Sequence, residues 1–188
     1  MSDKLSSPKR CIEWISDNLV IPAQPEFHCV EKFTEANPDI RFQYFNEEFK
    51  KELGGLTEKR IGCMVVRIGV VGIDRIGMKV NFSTMTPELG EGRILKMSQL
   101  YWMIEQQPNG EPPDCKNRRL VIDEARSNLY RIRNIRGTES AVQVYLIDRI
   151  DRGIHYKGWG LNAYDPNIQG EWNPGSRVIA KDEQDIWG

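Results

Sequence analysis

Residues 142–151 read VQVYLIDRID. Val142, Val144 and Leu146 alternate with Gln143, Tyr145 and Ile147, the two-residue period of a strand with one face in a core and the other toward water. The pattern then breaks. Asp148, Arg149, Asp151 and Arg152 crowd the strand's exit with only Ile150 among them. Upstream, LYRIRNI (129–135) has the same β character, RRLVID (118–123) supplies a further strand, and the polar segments EARSN and RGTES mark turns between them. Short strands joined by short polar turns predict a strongly curved antiparallel sheet or a small barrel.

The rest of the chain mixes the two periodicities. Cys11, Ile12, Trp14, Ile15 and Leu19 fall near helical spacing ahead of Pro22 and Pro25, which predicts a short helix over 9–19. Phe42, Phe45, Phe49 and Leu53 recur at three- and four-residue steps before Gly54-Gly55, which predicts a second helix with an aromatic core stripe. IGCMVVRIGVVGIDRIGMKVNF (61–82) is rich in β-branched residues and reads as two strands joined by a turn near GIDRIG. Ile94, Leu95, Leu100, Met103 and Ile104 predict a helix over 93–107, ending before Pro108. PNGEPPDCKNRR is a polar, proline-containing connector. Beyond the charged segment only SRVIA (176–180) reads as a strand, and Tyr156, Trp159, Tyr164 and Trp172 are expected to pin an irregular tail to the body. The expected class is mainly β with helices (α+β). The expected divisions are an N-terminal helical segment (1–60), a strand pair with its linker helix (61–112), a barrel (113–165) and a tail (166–188).

Composition narrows the function classes. A hydrophobic content of 39% can fill a core, and no apolar run approaches the roughly eighteen residues of a membrane span, so a soluble, non-secreted chain without membrane contact is expected. The formal net charge of -1 argues against wholesale binding to phosphate backbones. Cys11, Cys29, Cys63 and Cys115 lack the spacing of a zinc site or a disulfide framework, which points to reduced thiols and no metal. His28 and Cys29 are adjacent, but neighbours on a strand point to opposite faces, so they do not form a nucleophile and its base. No phosphate-binding loop, nucleophile elbow or zinc-protease motif is present. The reading is no enzyme and no cofactor.

The segment VIDEARSNLYRIRNI…VQVYLIDRID resembles the core of a Tudor domain, whose strands run approximately as an acidic turn, W-Y-R-A, and V-x-F-x-D-Y-G-N. Leu129-Tyr130-Arg131 matches the W-Y-R step, and Val144 to Asp148 matches the strand leading to the family's aspartate. The order of the preceding elements resembles the extended Tudor arrangement, and this implies an antiparallel barrel joined by a helix to an OB or staphylococcal-nuclease-like subdomain, completed in part by residues of the N-terminal third. In that family four aromatic side chains and an asparagine hold a methylated arginine by cation–π stacking and a hydrogen bond. Carried over, the second aromatic is Tyr130, the third falls on Leu146, the fourth on Arg149 and the asparagine on Asp151. The first falls near Asp123 or Glu124, and Asp148 matches the aspartate that braces the turn. The implied cage is dismantled. Carboxylates in its place favour an unmodified guanidinium with its full set of N–H donors.

What the resemblance implies is a peptide-binding module for an arginine-containing disordered tail, such as the Arg/Gly-rich N-terminal tail of a PIWI-clade Argonaute, in cytoplasmic, perinuclear germ granules. A second reading is a single-stranded RNA binder using KNRR and YRIRNIR, with Arg131 and Arg133 on one strand face. The acidic residues nearby oppose it. A nuclease reading rests only on Arg67, Asp74 and Arg75, too few groups for a metal-dependent site.

Overall fold

The computed structural model describes residues 11–72, 80–90, 93–110, 120, 126–166 and 171–182. In chain order these form β1 (Ile12–Ile21), β2 (Phe27–His28), α1 (Cys29–Lys32), β3 (Phe42–Phe45), α2 (Glu47–Glu52), β4 (Thr57–Glu58), β5 (Met64–Val71), β6 (Val80–Asn81), α3 (Phe82–Leu89), α4 (Met97–Glu105), β7 (Asn128–Arg133), β8 (Glu139–Asp151), β9 (Ile154–Tyr164), β10 (Glu171–Trp172) and β11 (Arg177–Lys181). The protein is mainly β with helices. Seven strands make one mixed sheet in the order β1-β5-β11-β7-β8-β9-β3, with β11–β7 and β3–β9 parallel and the other pairs antiparallel. The expected closed barrel does not form: among the described residues the sheet is open, with β1 and β3 at its ends. β11 inserts between β5 and β7, so strands from the beginning and end of the chain extend the sheet instead of leaving β7 to β9 to close on themselves.

Where the sequence pattern misleads, a bulge is the usual reason. Residues 12–21 are a strand, not a helix. Ile15 pairs with Ile68 and Leu19 with Val66, so four steps along β1 match two along β5, and this irregularity reproduces a helical interval. The phenylalanine stripe also divides: Phe42 and Phe45 belong to β3, where a register shift between Phe42 and Tyr44 turns both rings inward. Asn46 then caps α2, its Oδ1 accepting from Phe49 N at 2.8 Å, while the same amide clasps both main-chain groups of Ala163 at 3.0 Å. Val80–Asn81 pairs with β10, not with β5, and the expected turn near GIDRIG (72–77) lies, beyond Gly72, outside the described residues. The helix predicted over 93–107 is α4, and its first-turn donors are met by Glu58, which accepts from Met97 N (2.8 Å), Ser98 N (3.0 Å) and Ser98 Oγ (2.7 Å). SRVIA corresponds to β11. The expected irregular stretch 154–164 is instead the full strand β9.

The sheet buries its two faces unequally. One face carries Ile68, Ile179, Tyr130, Ile132, Val142, Val144, Leu146, Trp159 and Leu161, and α4 packs there with Phe33, Phe42, Phe45 and Phe49. Ring pairs such as Phe45–Phe49, with centroids 5.3 Å apart, each add about 0.5–1.5 kcal/mol beyond area burial. The opposite face buries Val71, Val178, Ala180, Leu129 and Ala141 beneath α3 and Trp172. That second cover stops at Ala141 on β8. The next residues of the same row, Gln143, Tyr145, Ile147, Arg149 and Asp151, run outward from it, going from half-buried to exposed.

Candidate functional site

The charged end of VQVYLIDRID is not a turn. β8 continues through Asp151 and returns as β9 by a tight Arg152-Gly153 turn, both residues at positive φ (49° and 79°). Because opposed residues share a face, Tyr145 stands with Gly160, Ile147 with Gly158, Arg149 with Tyr156 and Asp151 with Ile154. β3 continues this row, since Tyr44 pairs with Gly160 from the other side. Tyr44, Gly160 and Tyr145 therefore lie in line across three strands. A Cβ on Gly160 would sit 2.6 Å from the Tyr145 ring, so the glycine lets that ring lie down on the strand. A Cβ on Gly158 would sit 2.5 Å from Arg41 O, which allows β3 to approach closely.

The result is a cleft of about 390 Å³ lined by Gln43, Tyr44, Tyr145, Ile147, Arg149 and Tyr156. Tyr44 is 46% exposed, and the Arg149 guanidinium lies 5.9 Å from the centroid of the Tyr156 ring, a cation–π distance. Burial pushes the Tyr145 pKa up against the opposing effect of a hydrogen bond with Asn162, so its phenol is neutral at ordinary pH. Behind it, Asn162 Nδ2 donates to Gln143 Oε1 (3.2 Å) and to the Tyr164 hydroxyl (2.9 Å), and this network fixes the inner end of the row. Chemically, the cleft offers flat π-faces for a cation or a planar group. The nearest carboxylate along the row is Asp151, one step beyond Arg149.

The residues singled out from the sequence separate into three groups. Asp123 and Glu124 lie outside the described residues. Tyr130 and Leu146 are core residues, 1% and 3% exposed, on the face opposite the cleft. The Tyr130 hydroxyl is 3.8 Å from Met103 Sδ, and burial pushes its pKa far up; Leu146 packs against Gly110. Neither reaches a surface ligand. Arg149 and Asp151 are exposed and share the tyrosine face, whereas Asp148 sits on the other row with its Oδ1 2.6 Å from His155 Nε2 across the hairpin. Tyr44 and Tyr145 carry no sequence motif that marks them for the site, although Tyr145 stands on the polar side of the β8 alternation.

Other groups are committed elsewhere. Arg131, expected to follow a phosphate backbone beside Arg133, is buried, bonded to Glu139 and to Gly90 O (2.7 Å). Arg67 lies 5.4 Å from the Trp14 ring and 3.8 Å from Asp182, while Asp74 and Arg75 fall outside the described residues. His28 is half-buried and Cys29 buried; burial and the Glu58 carboxylate push the thiol pKa up, away from a reactive thiolate. A second cleft of about 390 Å³ contains Glu48, Glu52, Glu139 and Asp165, with Arg136 anchored on Glu52 at 2.5 Å and Arg131 on Glu139. Among the described residues no three His, Cys, Asp or Glu side chains are grouped to hold a metal ion, and no helix is long and apolar enough to cross a membrane. No family model, curated protein or solved structure matches the chain.

Proposed function

We propose that this chain is a non-catalytic peptide-binding module of extended Tudor type that recognises an arginine-containing, otherwise disordered segment without requiring arginine methylation. The observation that carries the reading is the Tyr44–Tyr145–Tyr156 cleft, in which one ring already carries an unmodified guanidinium, that of Arg149. An incoming arginine stacks on the same rings, and Asp151, exposed on the same row, accepts its N–H groups. The hairpin β8–β9 with β7 takes the part of the Tudor strands. By that resemblance the partner is the Arg/Gly-rich N-terminal tail of a PIWI-clade Argonaute, met in germ granules.

A second reading has its own support in the cleft: tyrosines on an exposed sheet face beside an arginine also suit unpaired bases. Calorimetric titration with matched unmethylated and symmetrically dimethylated Arg-Gly peptides, and with a single-stranded oligouridine, separates the two. Binding of the unmethylated peptide that weakens in Tyr156→Ala supports the peptide module. Saturable oligouridine binding with silent peptides replaces it by the RNA reading.

A further inference from the structure

We infer that Arg149 is an internal occupant of the tyrosine cleft and sets its affinity by competing with an incoming guanidinium for the Tyr156 ring. The inference rests on the peptide-binding reading above. Arg149 and Tyr156 are directly paired across β8 and β9, both line the cleft, and the guanidinium carbon lies 5.9 Å from the ring centroid. The charge of Arg149 also bears on the neighbouring Tyr145 phenol, where it lowers the pKa against burial. One exposed ring face does not hold two cations, because stacking does not offset their mutual repulsion. A ligand arginine therefore takes the ring only after Arg149 has left it.

The hairpin provides somewhere for Arg149 to go. Asp151 is two residues further along the same row, roughly 7 Å away at about 3.3 Å per residue, within the span of an arginine side chain. Arg149 thus has two partners of opposite consequence: on Tyr156 it fills the cleft, and on Asp151, whose two carboxylate oxygens have acceptor sites for both Arg149 and a ligand guanidinium, it clears it. Apparent affinity is the intrinsic affinity scaled by the fraction of molecules with the ring clear. A neutral planar ligand does not meet the repulsion, so the device acts on cations.

The test is calorimetric titration of one unmethylated Arg-Gly repeat peptide into the wild-type chain, Arg149→Gln, Arg149→Lys, Tyr156→Ala, the Arg149→Gln/Tyr156→Ala pair, and Arg152→Gln. The last removes the same charge from the hairpin turn without touching the ring. The expected result is that Arg149→Gln binds roughly two- to five-fold tighter, the factor an exposed cation–π contact is worth. Arg149→Lys should fall between, Arg152→Gln should give a smaller gain, and the gain should vanish in the Tyr156→Ala background. Peptide binding that is unchanged or weaker in Arg149→Gln overturns the inference and leaves the peptide reading standing. A gain that Arg152→Gln equals, or that persists without Tyr156, also overturns it, since net charge then accounts for the effect. Failure of every variant to bind peptide overturns the peptide reading and this inference together.

Discussion

Trp159 and Gln107, 52 residues apart in the chain, are joined by a 2.9 Å hydrogen bond from the indole Nε1 to the main-chain carbonyl. This bond ties β9, which carries Tyr156 on its exposed face, to the segment just after α4. Trp159 is fully buried, so Trp159→Phe removes one of the two donors to that carbonyl, which keeps the Gly110 N–H at 2.9 Å. The expected cost is about 0.5–1.5 kcal/mol for the lost bond, before any loss from the smaller ring. It should be read as a lowered denaturation midpoint with an unchanged slope.

Leu146 is expected to govern stability and not ligand choice. Gly110 has φ +68°, and a Cβ there would come within 2.4 Å of Leu146 Cδ1. Leu146→Ala should cost about 2–5 kcal/mol by removing buried atoms and leaving a cavity. Peptide affinity of the fraction that remains folded should not change. Gly110→Ala should destabilise through both backbone strain and the clash. In the Leu146→Ala background the clash is relieved, so the two losses should add to less than their sum.

Alkaline conditions should weaken the fold. Cys29 is held protonated chiefly by burial, with Glu58 adding to it, and Tyr130 by burial, so both folded-state pKa values stand above the ordinary 9.0 and 10.0. The unfolded chain releases these protons at the ordinary values while the folded chain keeps them. Their contribution is therefore complete below about pH 9 and is lost as pH rises beyond it. Denaturant titrations at pH 7 and 10.5 should show the decline, and it should shrink in Cys29→Ala measured against its own value at pH 7. In the native state a thiol reagent should modify the exposed Cys63 well before the buried Cys29.

The parts of the fold that could be read from the sequence are those whose periodicity reflects a single regular element. β8, β11 and α4 are of this kind. β1 is not, because its buried residues divide between the two cores, Ile12 on one face and Leu19 and Ile21 on the other, and its bulge between Ile15 and Leu19 imitates a helical step. Phe42 to Leu53 carries an apparent helical stripe across two elements, since the β3 shift places two inward residues three apart and Asn46 starts a true helix straight afterwards. β9 is concealed by Gly158, Gly160 and Asn162, residues of low strand propensity whose value lies in close approach to Arg41, Tyr145 and Gln143. The site inherits these difficulties. Arg149 and Asp151 are marked by the family resemblance and not by the β8 alternation, which breaks at Asp148 in the sequence, and Tyr44 and Tyr156 come from the two stretches whose strands were hidden, so the rings meet only once the pairing is known.

The last prediction concerns methylation and salt. Each methyl group on a bound guanidinium removes an N–H donor that Asp151 would otherwise accept, at a cost of roughly 1–3 kcal/mol. Contact of that methyl with the tyrosine rings returns about 0.8 kcal/mol if it is fully buried, and less in an open cleft. Dimethylation should therefore lower affinity or leave it unchanged. Asp151→Asn should weaken the unmethylated peptide more than Leu146→Ala does, and should narrow the difference between the two peptides. Raising ionic strength from 0.05 to 0.5 M should weaken binding further, because charges on an exposed hairpin are screened over a Debye length of about 10 Å at 0.1 M. Tight binding confined to symmetrically dimethylated arginine, lost in Tyr44→Ala or Tyr156→Ala and indifferent to Asp151, would sink this account. It would assign recognition to the three tyrosines alone.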